Sequence, residues 1–222
     1  MKKIIFGLTA DYKPFSYYEN NILCGLDVDI AHLISKELNI EIDFFITTWS
    51  DLLKDFKNKK FNIAIGGIAI NEERTQEAYF SKSYILGGKT PVGLTSKKES
   101  FNTFDKIDQK DNIIIVNKGG TNEKFVNQCI VNAKIIKKET NHDIFDFILN
   151  NEADIMFTDS MEAIYMEKTE SKLCRTMPDI LYSQFEIAFM IEKNQYLLNS
   201  INQVFKKYHN EINELKKQYK II

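Results

Sequence analysis

Nothing in this chain of 222 residues approaches the roughly 20 consecutive apolar residues that a membrane-spanning helix needs, so no membrane insertion is expected. Cysteine is scarce. Cys24, Cys129 and Cys174 are an odd number, which excludes complete pairing within the chain, and they lack the CxxC spacing of a metal or redox site. They read as ordinary thiols. His32, His142 and His209 are scattered and show no ligand spacing, so no metal and no cofactor are expected. An excess of one charge is missing too: 29 Lys and Arg stand against 31 Asp and Glu, a net −2. Such a balance offers no broad field for nucleic acid or an anionic membrane, and an anionic ligand would need locally placed cations. With 44% hydrophobic and 27% charged residues, the chain reads as ordinary soluble globular protein. Met1-Lys2-Lys3 gives a basic start, but the apolar stretch from Ile4 to Ala10 is cut short by Asp11 and no small-residue cleavage site follows. Ile4–Leu8 therefore reads as a first strand.

Strand and helix signals alternate along the whole length, which predicts an α/β fold with largely parallel sheets. Leu26, Ile30, Leu33, Ile34 and Leu38 mark one face of a helix, and Ile40–Phe45 the next strand. A helix is expected over Trp49–Lys57, then a buried strand at Ile63–Ile65 ending in Gly66-Gly67, and a short helix capped by Asn71. A second unit begins after Thr90–Leu94. It has strands at Ile113–Val116, Ile135–Ile136 and Ile155–Thr158, each followed by a helix. Ile187–Ile191 is expected as one last strand before two terminal helices. The expected division is residues 1–90 with 187–222 as one lobe and 91–186 as the other, with a ligand cleft between them. Ligands of open α/β sheets bind beyond the carboxyl ends of strands, which selects the loops 9–15, 47–49, 66–74, 117–122 and 158–162.

Several residues in these loops carry chemistry. Arg74 lies on a first helical turn, where backbone N–H groups favour anions, and its guanidinium suits a carboxylate; the plain alternative is a surface pair with Glu73 or Glu77. Thr121, after Gly119-Gly120, can cap a helix or point its hydroxyl at a ligand. This turn lacks the spacing of a nucleotide loop. Asp159 and Glu162 form an Asp-x-x-Glu pattern at a helix start. That pattern reads as a capping box, or as two site carboxylates of which one binds an ammonium and the other donates a proton. Trp49 reads as core and Lys89 as a hinge-region surface lysine unless they belong to a site.

Asp11-Tyr12-Lys13-Pro14-Phe15, Gly25-Leu26-Asp27-Val28-Asp29-Ile30-Ala31, Arg74, and Ala153-Asp154-Ile155 with Asp159 resemble the type II periplasmic solute-binding proteins for polar amino acids. The resemblance covers nearly the whole chain. It implies two lobes, each a mostly parallel sheet flanked by helices, and a periplasmic location, although a cytoplasmic one fits a chain that begins at its first strand. It also implies that Arg74 holds an α-carboxylate, Asp159 an ammonium, Tyr12 an aromatic wall and Thr121 a carboxylate-side donor. Gly67 and Ala69 stand where that class usually carries Ser or Thr, so backbone donors are expected there.

Thr47-Thr48-Trp49, Gly88-Lys89-Thr90-Pro91, Asn117 to Phe125 and Thr158 to Ala163 are similar to a narrower branch, the cyclohexadienyl dehydratases. This implies a hydro-lyase that removes water and carbon dioxide from prephenate and arogenate in phenylalanine biosynthesis, with homo-oligomers allowed. Trp49, Lys89 and Asn117 then belong to the active site and Glu162 is the proton donor. A helix N-terminus favours an ionised Glu162, whereas burial beside apolar groups keeps it protonated; burial is expected to win. The alternative function is an amino-acid-binding protein of an ABC importer, which keeps Arg74 and Asp159 but needs no acidic Glu162.

Overall fold

The computed structural model describes residues 3–221; Met1 and Lys2 of the basic start lie outside the described residues. The chain forms two compact units, Met1–Leu86 with Phe185–Ile222, and Gly87–Gln184. The chain passes between them twice, once inside β8 and once inside β13.

The first unit runs β1 (Lys3–Leu8), β2 (Asp11–Tyr12), β3 (Ser16–Glu19), β4 (Ile22–Cys24), α1 (Leu26–Leu38), β5 (Glu41–Ile46), α2 (Leu52–Lys57), β6 (Ile63–Ala64), α3 (Glu72–Glu77), β7 (Tyr79–Phe80) and the start of β8 (Ile85–Leu94). The second unit holds α4 (Phe104–Ile107), β9 (Ile113–Asn117), α5 (Thr121–Cys129), β10 (Lys134–Lys138), α6 (Ile144–Leu149), β11 (Ile155–Asp159), α7 (Ser160–Thr169), β12 (Leu173–Arg175) and the start of β13 (Tyr182–Ile187). The chain then returns to the first unit for β14 (Met190–Ile191), α8 (Gln195–Lys207) and α9 (His209–Gln218).

Each unit is built on a mixed sheet. In the first, the order is β5-β1-β6-β14-β7, with β5, β1 and β6 parallel, β14 antiparallel to both of its neighbours, and β7 running in the direction of the trio. In the second it is β10-β9-β11-β8-β12, with β10, β9 and β11 parallel, β8 antiparallel to both β11 and β12, and β13 also pairing with β8. The parallel trios put the carboxyl ends of their strands on one edge of each sheet. The loops that leave those ends carry the candidate residues.

Alternation explains the second unit's core. Ile114 and Val116 of β9, with Ile155 and Phe157 of β11, face a cluster containing Phe101, Phe125 and Val126. Their in-between neighbours Ile115 and Met156 face a second cluster with Ile144, Ile148 and Ala163. Central strands buried on both faces read as unbroken apolar runs. Helix α1 buries Leu26, Ile30, Ala31 and Ile34, and closes on Asn39 in the left-handed region (φ 51°), whose N–H bonds the Ser35 carbonyl.

Two expected elements differ. The helix expected from Trp49 starts at Leu52, because the Thr48 hydroxyl accepts the Asp51 N–H (3.1 Å) and holds residues 48–51 in a turn. The single strand expected over Ile187–Ile191 is split. Ile187 bridges Ala69, while Phe189 N–H donates to the Ser81 hydroxyl (3.0 Å) instead of continuing a ladder.

Phe157 is fully buried, with ring centroids 5.2 Å from Phe125, 5.9 Å from Phe104 and 6.2 Å from Tyr182. Phe157→Ala is expected to destabilise the protein by about 3–5 kcal/mol, read as a lower urea midpoint with an unchanged slope.

Candidate functional site

In the second unit the polar residues converge on one buried ammonium. Lys89 in β8 stands directly opposite Asp159, the last residue of β11, in the antiparallel register. Its side chain is 2% exposed. Its Nζ donates to Asp159 Oδ1, to Asn122 Oδ1 and, at 2.7 Å, to Thr121 Oγ1. A buried ammonium is tolerable only when compensated, and a carboxylate with two neutral acceptors does so. Lys89 is therefore no surface lysine.

Asn122 extends the network. Its Nδ2 donates to Asn117 Oδ1 and to Thr158 Oγ1, both at 3.3 Å. The Thr158 hydroxyl in turn donates to Glu162 Oε2, and Asn141 Nδ2 donates to Glu162 Oε1 at 2.6 Å. Glu162 is 1% exposed. A continuous polar chain thus runs Lys89–Asn122–Thr158–Glu162–Asn141, and Asn117, Thr121 and Asp159 hang from it.

Two local expectations fail here. The capping box is not made: Asp159 is the N-cap of α7, yet its side chain makes no capping bond. A charge-assisted bond to a buried Lys outcompetes one to a backbone N–H. Thr121 does not cap α5 either. Gly120 holds that position and the Thr121 hydroxyl goes to Lys89.

In the first unit the loops after β1, β5 and β6 come together. Tyr12, 3% exposed, stacks on Phe15 (5.6 Å, 11°) and meets the half-buried Trp49 edge-on (5.4 Å, 85°). Trp49 also packs against the Leu52–Phe56–Phe61 cluster, as its reading as a core residue expects. Arg74 is buried. The Asn71 side chain accepts its backbone N–H (2.9 Å), as a cap should, and its Nη1 donates to the Ala69 carbonyl at 2.8 Å. Glu77 is held by Lys57.

Gly66 and Gly67 turn with φ of +103° and +73°. A Cβ on Gly67 would lie 2.8 Å from Tyr12 Cε1 and 2.9 Å from Phe15 Cδ2. The expectation that the Gly67 N–H serves a ligand is corrected. Asp27, wholly buried in α1, accepts both Gly66 N–H (2.7 Å) and Gly67 N–H (2.9 Å) on Oδ2, and the Tyr84 hydroxyl (2.5 Å) on Oδ1. Burial pushes the Asp27 carboxyl up to about 6 against these three donors, which favour the charged form. Burial, and then Asp27 itself, hold the Tyr84 phenol well above its ordinary value.

Sequence reasoning assigned no chemical role to Asn141, Asn122 or Asp27, which the structure places in these buried hydrogen-bond networks. Asn141 follows β10, a parallel strand like the others, so the strand-end rule that selected five loops should have included the loop after Lys138.

The profile of the bacterial extracellular solute-binding proteins, family 3, matches residues 4–221. The chain belongs to this family. Among curated relatives of this family 3 solute-binding protein, the cyclohexadienyl dehydratase of Pseudomonas aeruginosa is 38% identical over 196 residues, 88% of this chain and 73% of the relative. The ABC transporter arginine-binding protein 1 of Escherichia coli strain K12 is 27% identical over 78% of this chain and 69% of its own. Among solved structures, the ancestral amino acid-binding protein AncCDT-1, described as a precursor of cyclohexadienyl dehydratase, superposes with a TM-score of 0.89 at 28% identity. That match covers 99% of this chain and 96% of the other. The fold is the type II periplasmic-binding-protein fold. Among the described residues no helix is long and apolar enough to cross a membrane.

Two outcomes are expected of the Asp27 turn. Gly67→Ala should cost about 1–3 kcal/mol, from a left-handed non-glycine residue plus displaced Tyr12 and Phe15 rings, read by denaturant unfolding. Asp27 has a folded value above its unfolded one, so its contribution is complete below about pH 4 and is lost as pH rises through about 6. The stability of the wild type minus that of Asp27→Asn should therefore fall by up to roughly 3 kcal/mol between pH 4 and 7. A flat difference across that range would remove Asp27 from this account.

Proposed function

We propose that this chain is a cyclohexadienyl dehydratase, which converts prephenate to phenylpyruvate and arogenate to phenylalanine with loss of water and carbon dioxide. The observation that carries the reading is the seating of the Lys89 ammonium on Asp159. A receptor for amino acids needs an open carboxylate for the ligand's ammonium. A carboxylate already compensated by Lys89 tolerates the keto group of prephenate as well as the ammonium of arogenate. Identity of 38% to the Pseudomonas aeruginosa cyclohexadienyl dehydratase supports the same conclusion.

In the proposed reaction Arg74 binds the side-chain carboxylate of the substrate, and Tyr12 and Trp49 wall the ring. Thr121 offers a hydroxyl, and Lys89 and Asn117 orient the ring end. Glu162 gives its proton to the ring hydroxyl as the carbon–oxygen bond breaks, so that water leaves rather than hydroxide. The bond from the ring to its carboxylate breaks in concert. Its electron pair enters the ring, carbon dioxide departs and the ring becomes aromatic. Glu162 then regains one proton from solvent, which balances the uptake of one proton per prephenate dianion. Asn141 and Thr158 are proposed to fix the carboxyl rotamer that presents this proton. The location follows the family, outside the cytoplasm, with the periplasm proposed.

Absorbance of phenylpyruvate after mixing with prephenate tests the proposal. The wild type is expected to turn over prephenate. Glu162→Gln should lose at least about 10²-fold in turnover while binding, measured by calorimetry, changes by no more than a few fold. A wild type that binds an amino acid but forms no phenylpyruvate would be a transport receptor, as the 27% identical arginine-binding protein is.

A further inference from the structure

The first unit contains a second cationic place, made by elements that the proposed chemistry does not use. A cavity of about 300 Å³ lies where α8 and α9 meet the segment between β7 and β8. Lys82, Lys206 and His209 line its exposed rim, and Lys216 lies buried at its wall, 9% exposed. The apolar lining comes from Phe205 and Ile212.

The charges here are not compensated as they are elsewhere on the same helices. Lys207 is paired with Glu37 and Lys217 with Glu214. Lys216 instead bonds the neutral Asn213 Oδ1 at 3.1 Å, and no carboxylate pairs with it among the described residues. Lys82 and Lys206 likewise have no carboxylate partner among the described residues. The nearby Glu186 accepts the Ser83 hydroxyl (2.9 Å) and does not line the cavity. The carbonyl end of α9 supplies partial negative charge to Lys216, but the effect of a helix terminus is small beside that of a carboxylate. Burial pulls the Lys216 ammonium below its ordinary value, the mark of a charge that lacks a counter-ion.

We propose that this cavity binds a small multivalent oxyanion, bearing phosphoryl or carboxylate groups, with Lys216 at its wall and Lys82, Lys206 and His209 closing over it. The bound oxyanion supplies the negative charge that the protein leaves out. Three lysines around one opening favour two or more negative charges over one, because each added ion contact is charge-assisted, while His209, whose Nε2 accepts from Asn213 Nδ2 (3.0 Å), is counted as a neutral lining group. The proposal does not depend on the dehydratase activity.

The test is a calorimetric titration of the intact chain with inorganic phosphate and, separately, with succinate, each against sodium chloride at matched ionic strength. Saturable binding of one or both at a single site is expected, and the stronger probe identifies a phosphoryl or a carboxylate ligand. Lys216→Met should weaken that binding at least about tenfold. Lys206→Gln, at an exposed position, should weaken it severalfold with an unchanged unfolding midpoint, which keeps the test sound if Lys216→Met folds poorly. Absence of saturation with both probes beyond the chloride control overturns the proposal, and so does binding that neither substitution weakens.

Discussion

The buried ammonium of Lys89 is the constraint around which the second unit's polar residues are arranged. A charge taken out of water must find acceptors, and leaving one uncompensated costs several kcal/mol. Asp159, Asn122 and Thr121 meet that need. Their side chains are thereby withdrawn from the local roles that their positions suggest, as caps of α5 and α7. The consequence travels further. Asn122, fixed by Lys89 on one side, presents its Nδ2 to Thr158, and the Thr158 hydroxyl is left to donate to Glu162. The orientation of the Glu162 carboxyl group is thus set through two side chains, Asn122 and Thr158, by one lysine in β8.

The first unit answers the same physical demand with the opposite sign. Asp27 is buried in α1, and its carboxylate is met by two backbone N–H groups and a phenol rather than by a cation. Neutral donors compensate less completely than an ammonium, so its proton affinity stays raised. What the unit gains is a fixed Gly66-Gly67 turn beneath Tyr12 and Phe15. Arg74 is held in a similar spirit, by the Asn71 cap at its backbone and by the Ala69 carbonyl at its guanidinium. Both units place pre-oriented polar groups on rigid strand ends, as binding and catalysis require.

Membership of a solute-binding family fits this construction. A receptor and a lyase can share one fold because the fold supplies only the strand-end loops and function resides in the groups placed on them. Here the feature that separates the two readings is the pairing of Asp159. An open carboxylate recognises an ammonium, while one already paired with a lysine contributes shape and hydrogen bonding with little net charge.

The sequence by itself determined the elements whose apolar pattern is unbroken. The spacing of Leu26, Ile30 and Ile34 produced α1, and the apolar runs at 113–116 and 155–158 became β9 and β11, because periodicity is a local property of a chain. The strand-end rule then pointed to the loops that carry Tyr12, Arg74, Asn117 and Asp159. Local pattern could not say which partner each side chain takes. Asp159 and Glu162 carry the same spacing whether they cap a helix or serve a site. The choice was made by Lys89, 70 residues away in sequence and brought opposite Asp159 only by the antiparallel register of β8 on β11. The loss of the Gly67 N–H to Asp27 and the contact of Asn141 with Glu162 were likewise decided by the tertiary structure. Long-range pairing of buried polar groups follows from which strands become neighbours, and no window of sequence contains that information.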